Sequence, residues 1–163
     1  MDNTTTRLCD FARDLEFRHL QDALPAAKAR ILSTLGVALA AFDMDPVRIV
    51  RKLVPQIAAG PRAQVFGSLQ QTTPDMAAFV NSAMVRCLDM SDSYVMEAVS
   101  HPADAFPAVL AVAEAENCSG QDLLLAMAIP AEGIRIVAPD LVSACAIAAL
   151  IDLVILRARK GAR

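Results

Sequence analysis

Tryptophan is absent from this sequence, tyrosine occurs once, and aromatic residues make up only 4%. Large rings therefore cannot build the core, and a β-sandwich is a poor fit. The same shortage removes the stacking platforms that base recognition uses. The formal net charge is −3, the isoelectric point is about 5.3 and no basic stretch stands out, so nucleic acid is not an expected partner. A paired C-x-x-C is also missing. Cys9, Cys87, Cys118 and Cys145 lie far apart, without metal-ligand spacing, and read as buried thiols in a reducing compartment. The opening Met1–Arg7 is polar and no apolar run follows, so no signal peptide is expected and the cytoplasm is the expected location. Repeats and low-complexity stretches are lacking.

Hydrophobic residues, by contrast, reach 55%, with a mean hydropathy of +0.42. Ala, Leu, Val, Ile and Met dominate, a palette suited to close helix packing. The 163 residues allow one domain, and the expectation is an all-α bundle spanning the chain. So much apolar surface on a chain of this size points to a homodimer or to a missing further portion.

The periodicity predicts a first helix capped near Asn3 with Leu8, Phe11, Ala12 and Leu15 on one face, then a linker over Arg18–Leu24. Pro25 opens a helix to about Phe42 that is apolar nearly all round, as a bundle interior requires. Asp45-Pro46 starts a third helix to about Ala59, with Pro55 kinking or ending it early. A turn at Gly60-Pro61 precedes Ala63–Phe66, the one segment with strand character. Thr73-Pro74 opens a fourth helix to about Leu88 or slightly beyond, and residues 90–101 read as a loop. Pro102 starts a fifth helix ending near Asn117, and Ser119 caps a sixth through a capping box with Asp122. Pro139-Asp140 begins a last helix through Leu156, followed by Arg157, Arg159 and Lys160. A membrane span needs ~20 apolar residues. Leu141–Leu156 falls short and contains Ser143 and Asp152, so a covered helix is the expectation and a membrane tether the alternative.

The fourth helix is apolar through Met76, Phe79, Val80, Met84 and Leu88. Against it, Ser82, Arg86, Asp89 and Ser93 recur at helical spacing and would share a stripe if the helix continued that far. Charges on such a helix are costly unless paired with each other or with a ligand. Two readings stay open: an Arg86–Asp89 ion pair at a bundle surface, or a binding site. Downstream, His101 precedes a proline at the mouth of a helix, whose free N–H groups suit a carboxylate. Its imidazole exchanges protons near neutral pH. The other histidine, His19, lies in the linker without acidic company and reads as structural.

Together these residues form a longer pattern: Asn81-x-x-Met84-x-Arg86-x-Leu88-Asp89-x-x-Asp92-Ser93-Tyr94, then His101-Pro102-Ala103-Asp104, then Pro107–Ala111 followed by Ala113-Glu114. It resembles the MmgE/PrpD family of lyases and epimerases, whose pattern runs R-x-L-D-x-N-D-T-[WY], a short loop, H-P-S-D, and a helix ending A-x-A-E. The eight-residue step from Ser93 to His101 looks like its dehydratase-type members. Leu32-x-x-Leu35-Gly36-Val37-Ala38-Leu39-Ala40 is similar to the family's early LLDTLGVALAG helix, and Ser119-Gly120-x-Asp122-Leu123-Leu124-x-Ala126 to its SGxDLLxA turn. The resemblance covers about residues 8–132, and the match fades after Glu132.

The resemblance implies a 2-methylcitrate dehydratase-like hydro-lyase acting on a small di- or tricarboxylic acid, without metal or organic cofactor. It implies that Asp89, Ser93 and His101 line the pocket, Ser93 keeping the hydroxyl of the family's Thr. Asp89 and His101 would exchange protons with the substrate, and Arg86 would hold a carboxylate, with Asp92 and Tyr94 also at the substrate. Departures are Ala103 for the family's Ser, and Ala131 where an aromatic or His usually precedes the Glu. Family members continue into further helices and a lid domain that brings catalytic lysines, and Lys28, Lys52 and Lys160 match none of them. The expectation is a truncated or diverged front portion of such an enzyme. The alternative is a non-catalytic helical remnant that dimerises or binds a partner.

Overall fold

In the computed structural model, residues 10, 14–55, 59–95 and 99–127 are described. Helix α1 (Leu24–Ala40) begins at Pro25, whose fixed φ suits a first turn. Helix α2 (Asp45–Lys52) begins the same way at Pro46 and carries Arg51 and Lys52 in its last turn, where they offset the helix dipole. It stops well short of Ala59. Pro55 disfavours helical φ/ψ at the residue before it, and the chain has already left the helix at Leu53. Strands β1 (Ala63–Gln64) and β2 (Gln71–Thr72) pair antiparallel, with Ala63 opposite Thr72. Only β1 falls within the expected strand. Helix α3 (Pro74–Arg86) follows, then a second hairpin of β3 (Tyr94–Val95) and β4 (Val99–Ser100), where a loop was expected. A 3-10 turn (Pro102–Asp104) leads into α4 (Phe106–Ala115), and residues 120–127 form α5. The mostly helical architecture expected from composition is therefore present.

Three expectations change in detail. The linker contains a 3-10 turn, Phe17–Leu20, in which the Glu16 amide donates to His19 Nδ1 at 3.1 Å, so His19 is indeed a local capping residue. Helix α1 is not enclosed on all sides. Thr34 and Ala38 are buried, but Leu32 and Leu39 are 73% and 50% exposed. The fifth helix does not start at Pro102, because Pro107 supplies a second helix-start position and the residues before it close a tighter turn. Most of the first helix and all of the last lie outside the described residues. Among the described residues no single helix is long and apolar enough to cross a membrane. Helices α1 and α2 pass that test only as a pair bent by 89°.

The core lies between α3 and α4. Val80, Met84 and Val85 of α3 meet Phe106, the first residue of α4, with Val47, Val65, Phe66 and Ala103 closing the cluster. Phe66 and Phe106 stack with centroids 6.1 Å apart. Val109 lies on the same helix in an adjoining cluster with Ala126 of α5. Helix α4 ends in a Schellman motif. Asn117 takes φ +51, the Cys118 amide donates to the Ala113 carbonyl at 2.8 Å, and Asn117 N donates to Glu114 O. Ser119 then caps α5. Its Oγ accepts from Asp122 N while its own N donates to Asp122 Oδ2, the capping box read from the sequence.

The β1–β2 connection is held from two sides. Gly67 has φ +69, and a Cβ there would stand 3.0 Å from the Leu39 and Phe42 side chains, so this turn needs glycine. From α3, the buried Asn81 amide accepts from Phe66 N at 2.9 Å and donates to Gln64 O at 3.0 Å. Asn81 thus completes a backbone ladder too short to satisfy itself. Asn81→Ala leaves the buried Phe66 N–H and the part-buried Gln64 C=O without this partner and is expected to cost ~1–3 kcal/mol in urea unfolding. Phe79→Ala, on the open side of the same helix, is expected to change stability by less than ~0.5 kcal/mol. Equal effects would contradict this role for Asn81.

Candidate active site

Helix α3 runs out at Arg86, and Cys87 is still in helical conformation. Asp89 then adopts φ +48 with its N donating to Arg86 O at 3.1 Å. A left-handed residue ends a helix, and Asp tolerates that conformation better than most. The stripe expected to run on to Ser93 is therefore broken at Asp89.

Charged groups collect at this junction. The Arg86 guanidinium stands between two carboxylates, 3.3 Å from Asp89 Oδ1 and 3.7 Å from Asp104 Oδ1. The surface ion pair between Arg86 and Asp89 is thus present, and a third member is added to it. Neither contact is a short charge-assisted hydrogen bond, which would be ~2.7–2.9 Å. Burial pushes the Asp104 carboxyl above the ordinary carboxylate value, against the opposing pull of the Arg86 and His101 charges. Asp104 Oδ1 is buried and accepts no hydrogen bond.

One residue joins the two halves of the motif. The backbone carbonyl of Asp92 lies 2.8 Å from His101 Nδ1. Its side-chain Oδ1 accepts from Ala103 N at 3.1 Å, and Oδ2 lies 3.4 Å from Arg30 Nε on α1. The free amide that a turn after His101-Pro102 offers to an anion is therefore taken by the chain's own carboxylate. Asp104 N donates to His101 O at 3.0 Å and closes the turn. Ser91 Oγ, 3.4 Å from Val85 O, ties the loop back to α3.

Of the residues singled out in the sequence, Arg86 and Asp89 are thus an ion pair, and Asp92 and His101 are hydrogen-bonded. Ser93 is exposed on the loop between them. Tyr94 pairs through its backbone with Ser100. Arg30 and Asp104 belong to the same cluster but were not among the candidates. Asp104 carried a signal, as the last residue of the His-Pro motif. Arg30 carried none, because its partner is distant in sequence. Cys87 and Cys118 are unbridged and only half-buried, less enclosed than expected. Among the described residues no group of three or more His, Cys, Asp or Glu is arranged to hold a metal ion.

A cavity of about 390 Å³ opens elsewhere, at the far end of α4, lined by Arg62, Gln64, Glu114, Asn117 and Ser119 among others. None of the candidate residues lines it. Glu114 Oε2 accepts from Gln64 N at 2.7 Å, and desolvation raises its pKa although the residue is exposed in part.

The MmgE/PrpD N-terminal domain model matches residues 6–152. The chain is 34% identical over 85 residues to the 2-methylcitrate dehydratase of Salmonella typhi, covering 52% of this chain and 18% of that protein. It is 30% identical over 93 residues to a probable 2-methylcitrate dehydratase of Saccharomyces cerevisiae, covering 56% and 18%. With the Escherichia coli K12 2-methylcitrate dehydratase the identity is 32% over 85 residues, covering 52% and 18%. The matched stretch spans less than a fifth of each of these relatives.

Two outcomes follow from the geometry. Asp104 and Glu114 hold protons more tightly folded than unfolded. Their contribution is therefore fully present below the ordinary carboxylate range and is lost as pH rises through their elevated folded values. The stability difference between the wild type and Asp104→Asn/Glu114→Gln, from urea unfolding, is expected to fall as pH increases from about 4; a rise would contradict these shifts. At Asp89, whose side chain is 83% exposed, Asp89→Gly is expected to keep or gain stability and Asp89→Val to lose ~1–2 kcal/mol. The reverse order would contradict the left-handed backbone.

Proposed function

The chain belongs to the MmgE/PrpD family, and from that premise we propose that it supplies the helical side of the active site of a 2-methylcitrate dehydratase-like lyase. The observation that carries this reading is the gathering of Arg86, Asp89, Asp104 and His101 where α3 ends and α4 begins, inside the segment that matches the family. In the proposed reaction a hydroxy-acid loses water to give an unsaturated acid. His101 and Asp89 form the proton-transfer pair. One takes the proton from the carbon next to a carboxylate, and the other gives a proton to the departing hydroxide. Ser93 offers its hydroxyl, Asp92 and Tyr94 line the site, and Arg86 binds a substrate carboxylate. Its contacts with Asp89 and Asp104 are loose enough for such a competitor. The matched stretch is less than a fifth of each relative, and the proposal concerns the part of the site that these residues form.

Binding tests the reading without requiring turnover. In a thermal-unfolding series with 2-methylcitrate, citrate and a neutral polyol, the two acids are expected to raise Tm. A ligand at 100 times its Kd adds ~2.7 kcal/mol to stability. Arg86→Gln and His101→Ala are each expected to remove the increment. No shift with either acid, or a shift that survives both substitutions, would overturn the proposal.

A second reading has its own support. Leu32, Ile49 and Leu53 on or just after α1 and α2 are 73%, 62% and 68% exposed. Such side chains suit a module that associates with a second copy. Sedimentation velocity is expected to give a dimer that Leu32→Glu/Ile49→Glu dissociates. A concentration-independent monomer would contradict it.

A further inference from the structure

We infer that Arg30 and Asp92 are positioning residues that fix the ring of His101 as its Nδ1–H tautomer, leaving Nε2 as the nitrogen that accepts a substrate proton. This deepens the reading proposed above and rests on it for the word substrate, but the tautomer itself is a property of the unliganded chain. A backbone carbonyl can only accept. The 2.8 Å contact between Asp92 O and His101 Nδ1 therefore requires the hydrogen to sit on Nδ1. In a neutral imidazole the other nitrogen then carries the lone pair. Free histidine side chains in water favour the opposite tautomer, so the fold imposes a choice.

Asp92 is able to impose it because the residue is itself clamped. Its carboxylate accepts from Ala103 N, two residues past the ring it orients, and faces Arg30 on α1 across 3.4 Å. The His101 backbone is extended, φ −121 and ψ 90, the region that a following proline enforces. Asp104 N closes the turn onto His101 O. The ring is thus held through its own nitrogen, through the turn that follows it and through a helix more than sixty residues upstream. Asp92 Oδ2 is buried and accepts no hydrogen bond of good geometry, so Arg30 balances its charge rather than sharing a short bond. Removing Arg30 leaves that charge uncompensated next to the turn and loosens the carbonyl on which the ring depends.

The chain has only two histidines, which makes the tautomer directly readable. Uniformly 15N-labelled full chain, at a pH where imidazole is neutral, is examined by long-range 1H–15N correlation, with His19→Gln identifying the remaining ring. Relative to a free imidazole, His101 is expected to be shifted about fivefold toward a protonated Nδ1 and an unprotonated Nε2, the factor for a hydrogen bond of ~1 kcal/mol. Arg30→Ala is expected to lose most of that bias and Arg30→Lys to retain it. Arg30→Gln serves where the alanine variant fails to fold. A wild-type His101 with no more Nδ1–H than a free imidazole overturns the inference. So does a bias unchanged in both Arg30→Ala and Arg30→Gln, which removes Arg30. The functional reading fails separately: a fixed tautomer in a chain whose Tm no acid raises leaves the positioning intact and removes the lyase site. Acid binding to a chain with the Nε2–H tautomer does the opposite.

Discussion

The packing of α3 against α4 is the constraint on which the rest depends. Val80, Met84 and Val85 can leave water only against Phe106 and its neighbours, and burying side chains of this size is worth ~1.5–3 kcal/mol each. Consecutive helices packed in this way bring the end of the first close to the start of the second. Whatever the sequence places after Arg86 and before Phe106 is therefore gathered at one junction. The charged residues meet there because the apolar faces on either side cannot part. Their mutual ion pairs are long and partly exposed and would not hold the junction by themselves.

Local backbone chemistry does the finer placement. A left-handed Asp89 ends α3, a two-residue hairpin spans the middle of the connection, and His101-Pro102 starts the return. Asp92 links these parts through main chain and side chain at once, and through Arg30 it ties them to α1. Asn81 performs the equivalent service at the other hairpin, pairing with the backbone of Gln64 and Phe66. In both places a single polar residue satisfies main-chain groups beside a hairpin of two-residue strands, Gln64 and Phe66 in one case and Ala103 in the other. Two residues that stand in one family motif thus have different uses, Asn81 within the core and Asp92 at its edge.

Much of the fold was legible because its signals are local. Prolines at 25, 46 and 74 mark helix starts through their fixed φ, and Ser119 with Asp122 marks another through a reciprocal cap. The errors come from distant contacts. The two small hairpins have strands too short to leave an alternating pattern. The stripe through Ser82, Arg86, Asp89 and Ser93 assumed an unbroken helix, and φ at Asp89 cannot be read from aspartate alone. Asp92 stood in the pattern, but its partners Arg30 and Ala103 are assigned only by folding. Asp104 was visible as a motif residue, yet its raised pKa comes from burial that periodicity does not report. The exposed leucines of α1 show the same limit in reverse, since an all-apolar helix gives no sign of which side the fold leaves open.

The central claim is that an acid binds where α3 ends and α4 begins. The most direct test is a backbone 1H–15N titration of the full chain with 2-methylcitrate. Shift changes confined to residues 86–93 and 101–106 are the predicted result. Changes centred instead on Arg62, Glu114 and Ser119 around the cavity at the far end of α4, or none at saturating acid, would contradict it.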